Sequence, residues 1–563
     1  MTPAETHHQR GLALRRQGRA EEALAELETA AGLAPGHPMI LLNLGATLLD
    51  LDRAAAAADV LSRAVALVPQ VPEARNILGC ALLGAGRVSA ARHELEEALR
   101  LRRSYSAAHD NLGRVCRAQG CMAEALEHFQ AALAGAPTPA THSNALLAGN
   151  YVGELAPAEL VGRHREWDRR HARALRPARR RTALPRAGRR LRIGYVSPDF
   201  CQHAVAFFIA PVLAAHDRGQ FEVFCYYNRA GQDAVTAALR SVAEHWRDIP
   251  ALNDEAVAEL IRQDEIDILV DLAGHTAGHR LPVFARQAAP VQITWLGYPN
   301  TTGMAAMDYR ITDDICLPAG DDTRHGPEEL LRLPDVFCCY QPPPDCPPPA
   351  APAGGADRPF TFCSFNHFAK LSAGTIAVWA RILAECPGAQ LLLKSPGAGD
   401  PGTQAHCRGE FARHGTGPER IRFNGEALPM RRHLELYHGC DLALDPFPYN
   451  GTTTTCEALL MGVPVVTLAG ATHAARVGAS FLRCVGLSGL VASDKSEYVR
   501  RAVRLAADAD RRAELRLTLR SRLLAGPLGQ GAAFTRNYEA ALVRAWDAAV
   551  ARDRARVPVA QAG

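Results

Sequence analysis

Residues 445–466, DPFPYNGTTTTCEALLMGVPVV, place four consecutive threonines between a proline- and glycine-rich turn and an apolar run. The pattern predicts a strand ending at Asp445, a turn, and a helix opening near Thr453. The first N–H groups of a helix lack internal partners, and the helix dipole favours an anion there. A phosphate is the natural occupant of such a position. The hydroxyls of Thr453 and Thr454 can add donors, and Glu457, one turn further on, can accept hydrogen bonds from ribose hydroxyls. A capped helix that binds nothing needs only one threonine, and four exceed that need.

Lysine is almost absent. The chain has three, Lys370, Lys394 and Lys495, against 60 arginines. A chain this biased towards arginine keeps a lysine where a compact ammonium serves better than a planar fork. Lys370 lies in SFNHFAKLSAGT, residues 364–375, directly after a predicted strand, with Asn366 and His367 beside it. An ammonium there can stabilise a diphosphate leaving group as charge develops on it. His203 in VSPDFCQHAVAFF and His275 in DLAGHTAGHR each follow a strand of an earlier segment. A neutral imidazole at such a place can bond a substrate hydroxyl or take its proton. Asp271 is as easily structural. LGYPNTTG at 296–303 is a polar turn after a strand and reads equally well as a plain loop.

Two sets of alternating strands and helices must position these residues. LRIGYVSPDF, FEVFCYY, IDILVDLAGH and VQITWLGYP are strand-like, with DAVTAALRSVAEHW and EAVAELIRQD helical between them. FTFCSFN, LLLKS, IRFNG, LALDPF and VPVVTLA repeat the logic. Such alternation predicts parallel sheets, with ligands at the carboxyl ends of the strands. In front of them Gly11, Gly45, Gly79 and Gly113 recur every 34 residues, with Ala23, Ala57, Ala91 and Ala125 in the same register. This looks like tetratricopeptide repeats, which stack into an α-solenoid with a concave groove. The groove is read as recruiting a protein or peptide; a packing or dimerisation scaffold is the other use, so a homo-oligomer stays open. Asn43, Asn76 and Asn111 are weak candidates for bonding an extended peptide there. The expected divisions are a solenoid over 1–138, a helical and basic connector over 139–190, a first lobe over 191–341, a proline-rich linker over 342–358, a second lobe over 359–550 and a tail over 551–563.

Composition narrows the classes. Net charge is +4 from 63 basic and 59 acidic residues, too balanced for nucleic acid as the main partner. No run of 18 apolar residues argues for a membrane span, and no charged-then-apolar leader opens the chain. The 15 cysteines contain no CxxC pair, so free thiols in a reducing cytoplasm are expected. There is no HExxH, no GxxxxGK[ST] and no GxSxG. The Asp508–Asp510 acid-x-acid triplet lies in a helical run, so no metal is expected, and Lys370 with the threonine helix must meet the leaving-group charge.

The 34-residue repeats, YVSPDFxxH, GHTAGHR, LGYPNTTG, SFNxxAK and FPYNGTTTTCEALLMGVP occur in this order and cover about residues 5–550. Together they resemble the O-linked N-acetylglucosamine transferase family, in particular its SPINDLY-like branch. The resemblance implies a metal-independent, inverting glycosyltransferase with two Rossmann-like lobes, the GT-B architecture, behind a tetratricopeptide solenoid. It implies a nucleotide-sugar donor, no cofactor, and transfer to Ser or Thr hydroxyls of proteins. By motif, Lys370 resembles the lysine that stabilises the departing diphosphate, Thr453 and Thr454 the threonines that hold the phosphates, and His203 the active-site histidine near sugar and acceptor. Glu457 stands where the animal enzymes place an aspartate near the ribose. His433, in ALPMRRHLELY, is similar to a histidine beside the nucleotide base. Thr452 replaces a histidine of the animal pattern, and His367 replaces its glutamine. The donor expected is UDP-GlcNAc; O-fucosylation from GDP-fucose and a catalytically silent repeat adaptor are the alternatives.

Overall fold

A computed structural model describes residues 1–153, 155–178, 182–183, 188–320, 325–350 and 358–556. Parts of the basic connector, of the proline-rich linker and of the tail expected from sequence lie outside the described residues.

Eight helices from Pro3–Arg16 to Met122–Gly135 form four antiparallel pairs. The 34-residue register has a steric cause. A Cβ on Gly11 would stand 2.7 Å from Leu27, one on Gly45 2.4 Å from Leu61, one on Gly79 2.6 Å from Leu95, and one on Gly113 2.7 Å from Phe129. In each pair the glycine of the first helix admits the large residue of the second. Asn76 and Asn111, read as peptide donors, are instead buried and bonded to each other at 2.9 Å. Two further helices, Pro139–Gly149 and Pro157–Trp167, connect the solenoid to the lobes.

The first lobe is a seven-stranded sheet: β1 (Leu191–Ser197), β2 (Phe221–Tyr227), β3 (His245–Asp248), β4 (Ile268–Asp271), β5 (Val291–Thr294), β6 (Tyr309–Thr312) and β7 (Glu329–Arg332). Its order is β3-β2-β1-β4-β5-β6-β7. The second is six-stranded: β8 (Thr361–Ser364), β9 (Gln390–Lys394), β10 (Ile421–Asn424), β11 (Leu442–Leu444), β12 (Val465–Leu468) and β13 (Val491–Ala492), in the order β10-β9-β8-β11-β12-β13. Every pairing is parallel. Both sheets reverse direction beside their first strand, which opens a crevice at the carboxyl ends of β1 and β8. The central strands are buried on both faces, as in β4, β5 and β8, which parallel sheets covered by helices require.

Two expectations change. The pattern of DAVTAALRSVAEHW predicts helix through its final HW; the helix stops at Val242, and His245 to Asp248 form edge strand β3. The sequence division places the last helix, Gly531–Arg556, largely in the second lobe, but it packs on the first. Its Glu539 accepts from His216 Nδ1 at 2.9 Å and from the Asp217 amide at 2.8 Å, while Tyr538 lies 4.8 Å from Trp295. The chain therefore crosses between the lobes a second time.

Candidate functional site

The two carboxyl-end crevices face each other across a cavity of about 250 Å³. Its lining includes His203 and Leu296 from the first lobe and Asn366, His367, Lys370, Tyr449 and Thr452 to Thr454 from the second. Residues 80 positions apart thus meet because each follows a strand of the same sheet.

Helix Thr453–Leu460 opens at this cavity, and Thr452, at its N-cap, makes no side-chain capping bond. The threonine run is therefore not an ordinary cap. Thr454 Oγ1 donates to Asn366 Oδ1 at 3.0 Å, and Asn366 Nδ2 donates to Ser364 Oγ at 3.2 Å, which ties the helix start to the end of β8. The preceding turn is held by Asp445, whose carboxylate accepts from the Gly451 amide and from Thr467 Oγ1, both at 2.6 Å. A Cβ on Gly451 would stand 2.6 Å from Thr454 Oγ1, so this glycine lets the loop pass close to the threonines.

Lys370 Nζ donates to the Asn450 carbonyl at 2.8 Å and lies 4.7 Å from the centre of the Tyr449 ring. An ammonium has three donors, and the other two have no protein acceptor among the described residues. Desolvation pushes its pKa below the ordinary lysine range, and Asp445 pulls it back up. Burial raises the Asp445 carboxyl, against the bonds from Thr467 and Gly451 and the Lys370 charge. This predicts an alkaline limb in kcat/KM that falls below the ordinary lysine value of about 10.4, because the cationic form is lost as pH rises through the lowered pKa. A pH profile whose alkaline limb sits at or above that value contradicts the assignment.

His203 is half exposed, 48 % at the side chain, with Nδ1 3.5 Å from Asp199 and accepting from the Val205 amide. His367 Nδ1 accepts from the Ala369 amide at 3.1 Å and caps the short turn that presents Lys370. His433 and Glu457 do not line the cavity. They bond each other at 3.0 Å behind the threonine helix, where Glu457 is buried and Tyr437 also approaches its carboxylate.

His275 is a correction. It is 1 % exposed and binds no cavity: Ser143 Oγ lies 2.9 Å from its Nδ1, and its Nε2 lies 2.9 Å from the Thr302 carbonyl. The carbonyl requires a proton on Nε2, so Nδ1 accepts from Ser143. Ser143 also meets His279 Nε2, and His164 bridges the Leu160 carbonyl and Tyr298. Every ring is neutral in this wall between connector and first lobe. Burial lowers His164 and His279 to about 4 and His275 further. The unfolded chain takes up protons first, so the stability these rings support is complete above about pH 6.5 and is lost as pH falls towards 4. The melting temperature should drop between pH 7 and pH 5; a flat profile contradicts this.

Asp271 is structural as well: it accepts from the Ala273 and Gly274 amides and from Thr294. Sequence reasoning missed Tyr449, Asp199, and the apolar lining by Phe208, Phe337 and Val477. Only the strand-end position of Tyr449, within FPYNG, could have signalled it.

The profile of glycosyl transferase family 41 matches residues 171–339 and 354–538, and tetratricopeptide repeat profiles match 8–72 and 78–139. The chain belongs to glycosyl transferase family 41. It is 41 % identical over 408 residues to a protein of Petunia hybrida named as a probable UDP-N-acetylglucosamine–peptide N-acetylglucosaminyltransferase, SPINDLY, a match over 72 % of this chain and 44 % of that protein. A protein of Arabidopsis thaliana with the same description of activity, SEC, is 32 % identical over 64 % of this chain and 37 % of its own length. The chain thus spans less than half the length of these curated relatives. Among solved structures, a mutant of the O-GlcNAc transferase of Thermobaculum terrenum matches with a TM-score of 0.86 and 36 % identity, over 92 % of this chain and 98 % of that one. The solenoid followed by two parallel-sheet lobes is therefore the GT-B arrangement of this family 41 chain. No helix among the described residues is long and apolar enough to cross a membrane.

Proposed function

We propose that this chain is an inverting protein O-GlcNAc transferase, which moves N-acetylglucosamine from UDP-GlcNAc to Ser and Thr hydroxyls of proteins held by its repeats. One observation carries the reading: an uncapped, threonine-rich helix start and an ammonium with donors to spare converge on one cavity between two lobes. That is a diphosphate site with a sugar-sized space in front of it. The printed names of the relatives and of the solved structure support the donor and the peptide acceptor.

The reaction is a single displacement. The acceptor oxygen bonds to the anomeric carbon, giving up its proton to His203, to a donor phosphate oxygen or to water, as the bond from that carbon to the diphosphate breaks, and the configuration inverts. Lys370 and the helix N–H groups meet the charge that develops on UDP, where fixed donors in a water-poor site act most strongly. A metal-independent reaction is part of this reading: the described lining carries no carboxylate, whereas a magnesium-held diphosphate takes one or two from the protein. His203 Nδ1 faces Asp199 and the Val205 amide, which leaves Nε2 for the acceptor hydroxyl. The 15 free cysteines support a reducing, cytoplasmic setting for this enzyme.

Label transfer to protein from UDP-GlcNAc and from GDP-fucose tests the donor: label from GDP-fucose alone overturns the choice made here. Calorimetry with UDP and GDP tests for an enzyme at all, since a silent adaptor binds neither.

A further inference from the structure

Asn150 and Tyr151 follow connector helix Pro139–Gly149 and belong to neither lobe. Each nevertheless holds a loop of the cavity. Asn150 is 5 % exposed; its Nδ2 donates to Tyr298 Oη at 2.6 Å and its Oδ1 accepts from Asn300 at 2.7 Å. Tyr298 and Asn300 sit in the first-lobe loop whose Leu296, Gly297 and Pro299 line the cavity. Tyr151 stacks on Tyr449 of the second-lobe loop, ring centres 4.7 Å apart at 26°. Tyr449 is the ring over which Lys370 Nζ lies. The same helix is tied to the solenoid, where Asn144 Nδ2 donates to Asp110 of the fourth repeat at 3.1 Å.

Two adjacent residues thus grip one loop from each lobe and are themselves fixed to the repeats. We propose that Asn150 and Tyr151 are positioning residues, a clamp that keeps the two cavity loops in register with the solenoid and places Lys370 through Tyr449. The lobes alone do not settle where the ammonium stands; the repeats take part. Load on the solenoid is carried to both cavity walls at once, and an acceptor bound there is coupled to the diphosphate site. The coupling rests on the transferase reading; the placement of Lys370 does not.

The three lysines make the placement measurable without any donor. Lysine labelled with carbon-13 at Cε gives three signals, assigned with Lys370→Arg, Lys394→Arg and Lys495→Arg. Among the described residues the charged and titratable groups around Lys370 are Asp445, His367, the Tyr449 phenol and, from the solenoid, Arg117, which acts on His367 and on Tyr151. Tyr151→Leu removes the stacked ring and leaves those groups in place. Water then reaches Tyr449 and the ammonium, so the Lys370 midpoint is expected to rise. In turnover, kcat should fall by about 10- to 100-fold, the size of effect an ångström-scale misplacement produces, with KM for the donor within about 2-fold. Tyr151→Phe keeps the ring and should restore both. If Tyr151→Leu does not fold, Tyr151→Met, which fills the space without a ring, carries the same test. A Lys370 midpoint that is unchanged or lowered in the folded variant overturns the clamp. Absence of transfer by wild-type protein from every donor overturns the transferase reading instead, and leaves the titration to stand.

Discussion

Replacement of Lys370 by alanine should lower kcat by about 10²–10³-fold, the cost of removing one donor aimed at developing charge, while UDP still binds. Among the described residues the ammonium has one protein acceptor, the Asn450 carbonyl, and an aromatic face, and no carboxylate pairs with it directly. Desolvation already presses it towards the neutral form, so the site holds a charge at some cost when no anion is near. Negative charge on the diphosphate is larger at the transition state than in the bound donor, so the ammonium is better satisfied there than in the ground state. Ground-state binding should therefore suffer less than turnover. Lys370→Arg should not rescue, since a planar fork cannot keep both the carbonyl bond and the ring contact of a compact ammonium. Steady-state kinetics with UDP calorimetry checks both points. Near wild-type turnover in Lys370→Ala would remove Lys370 from the chemistry.

The threonine helix should behave differently. Thr453→Val with Thr454→Val keeps the shape and removes two hydroxyls from the cavity. Hydrogen bonds to charged groups are worth about 1.5–3 kcal/mol each, so donor affinity is expected to fall by about 10²-fold or more, with KM rising more than kcat falls. In the proposed site these hydroxyls meet phosphates that are anionic before, during and after transfer, Thr454 by turning its one proton from Asn366, which is uniform binding. Thr454 also holds Asn366, so the Thr454→Val single variant should be the more damaging of the two. Calorimetry of UDP binding on the two single variants and the double checks this. Unchanged affinity in the double variant would mean that the helix start does not face the diphosphate.

The fold was legible where periodicity was strong. A glycine every 34 residues marks a contact that tolerates no Cβ, so the solenoid could be read from composition at fixed spacing. The sheets could be read because parallel strands buried on both faces are continuous apolar runs. Edge strand β3 was not, since His245 to Asp248 are polar and continue the rhythm of the helix before them. For the site, strand-end position picked out His203, Asn366, Lys370 and the threonines, which the structure brings to one cavity. The same rule misplaced His275: it also follows a strand, but the connector covers that strand end. Which strand ends face the cleft and which face another element depends on packing between distant segments. One sequence carries no signal for it. Asn150 and Tyr151 escaped notice for the same reason, as their partners lie about 150 and 300 residues away.

Helix Gly531–Arg556 returning to the first lobe has a consequence for synthesis. Trp295 and His216 gain part of their cover, Phe534, Tyr538 and Glu539, from this late segment. A ribosome that has finished the first lobe's strands still leaves an apolar flank open to solvent for more than 200 further codons. That nascent intermediate is a natural client for chaperones, and a polypeptide stopped before residue 531 should aggregate even though every strand of both sheets has been made.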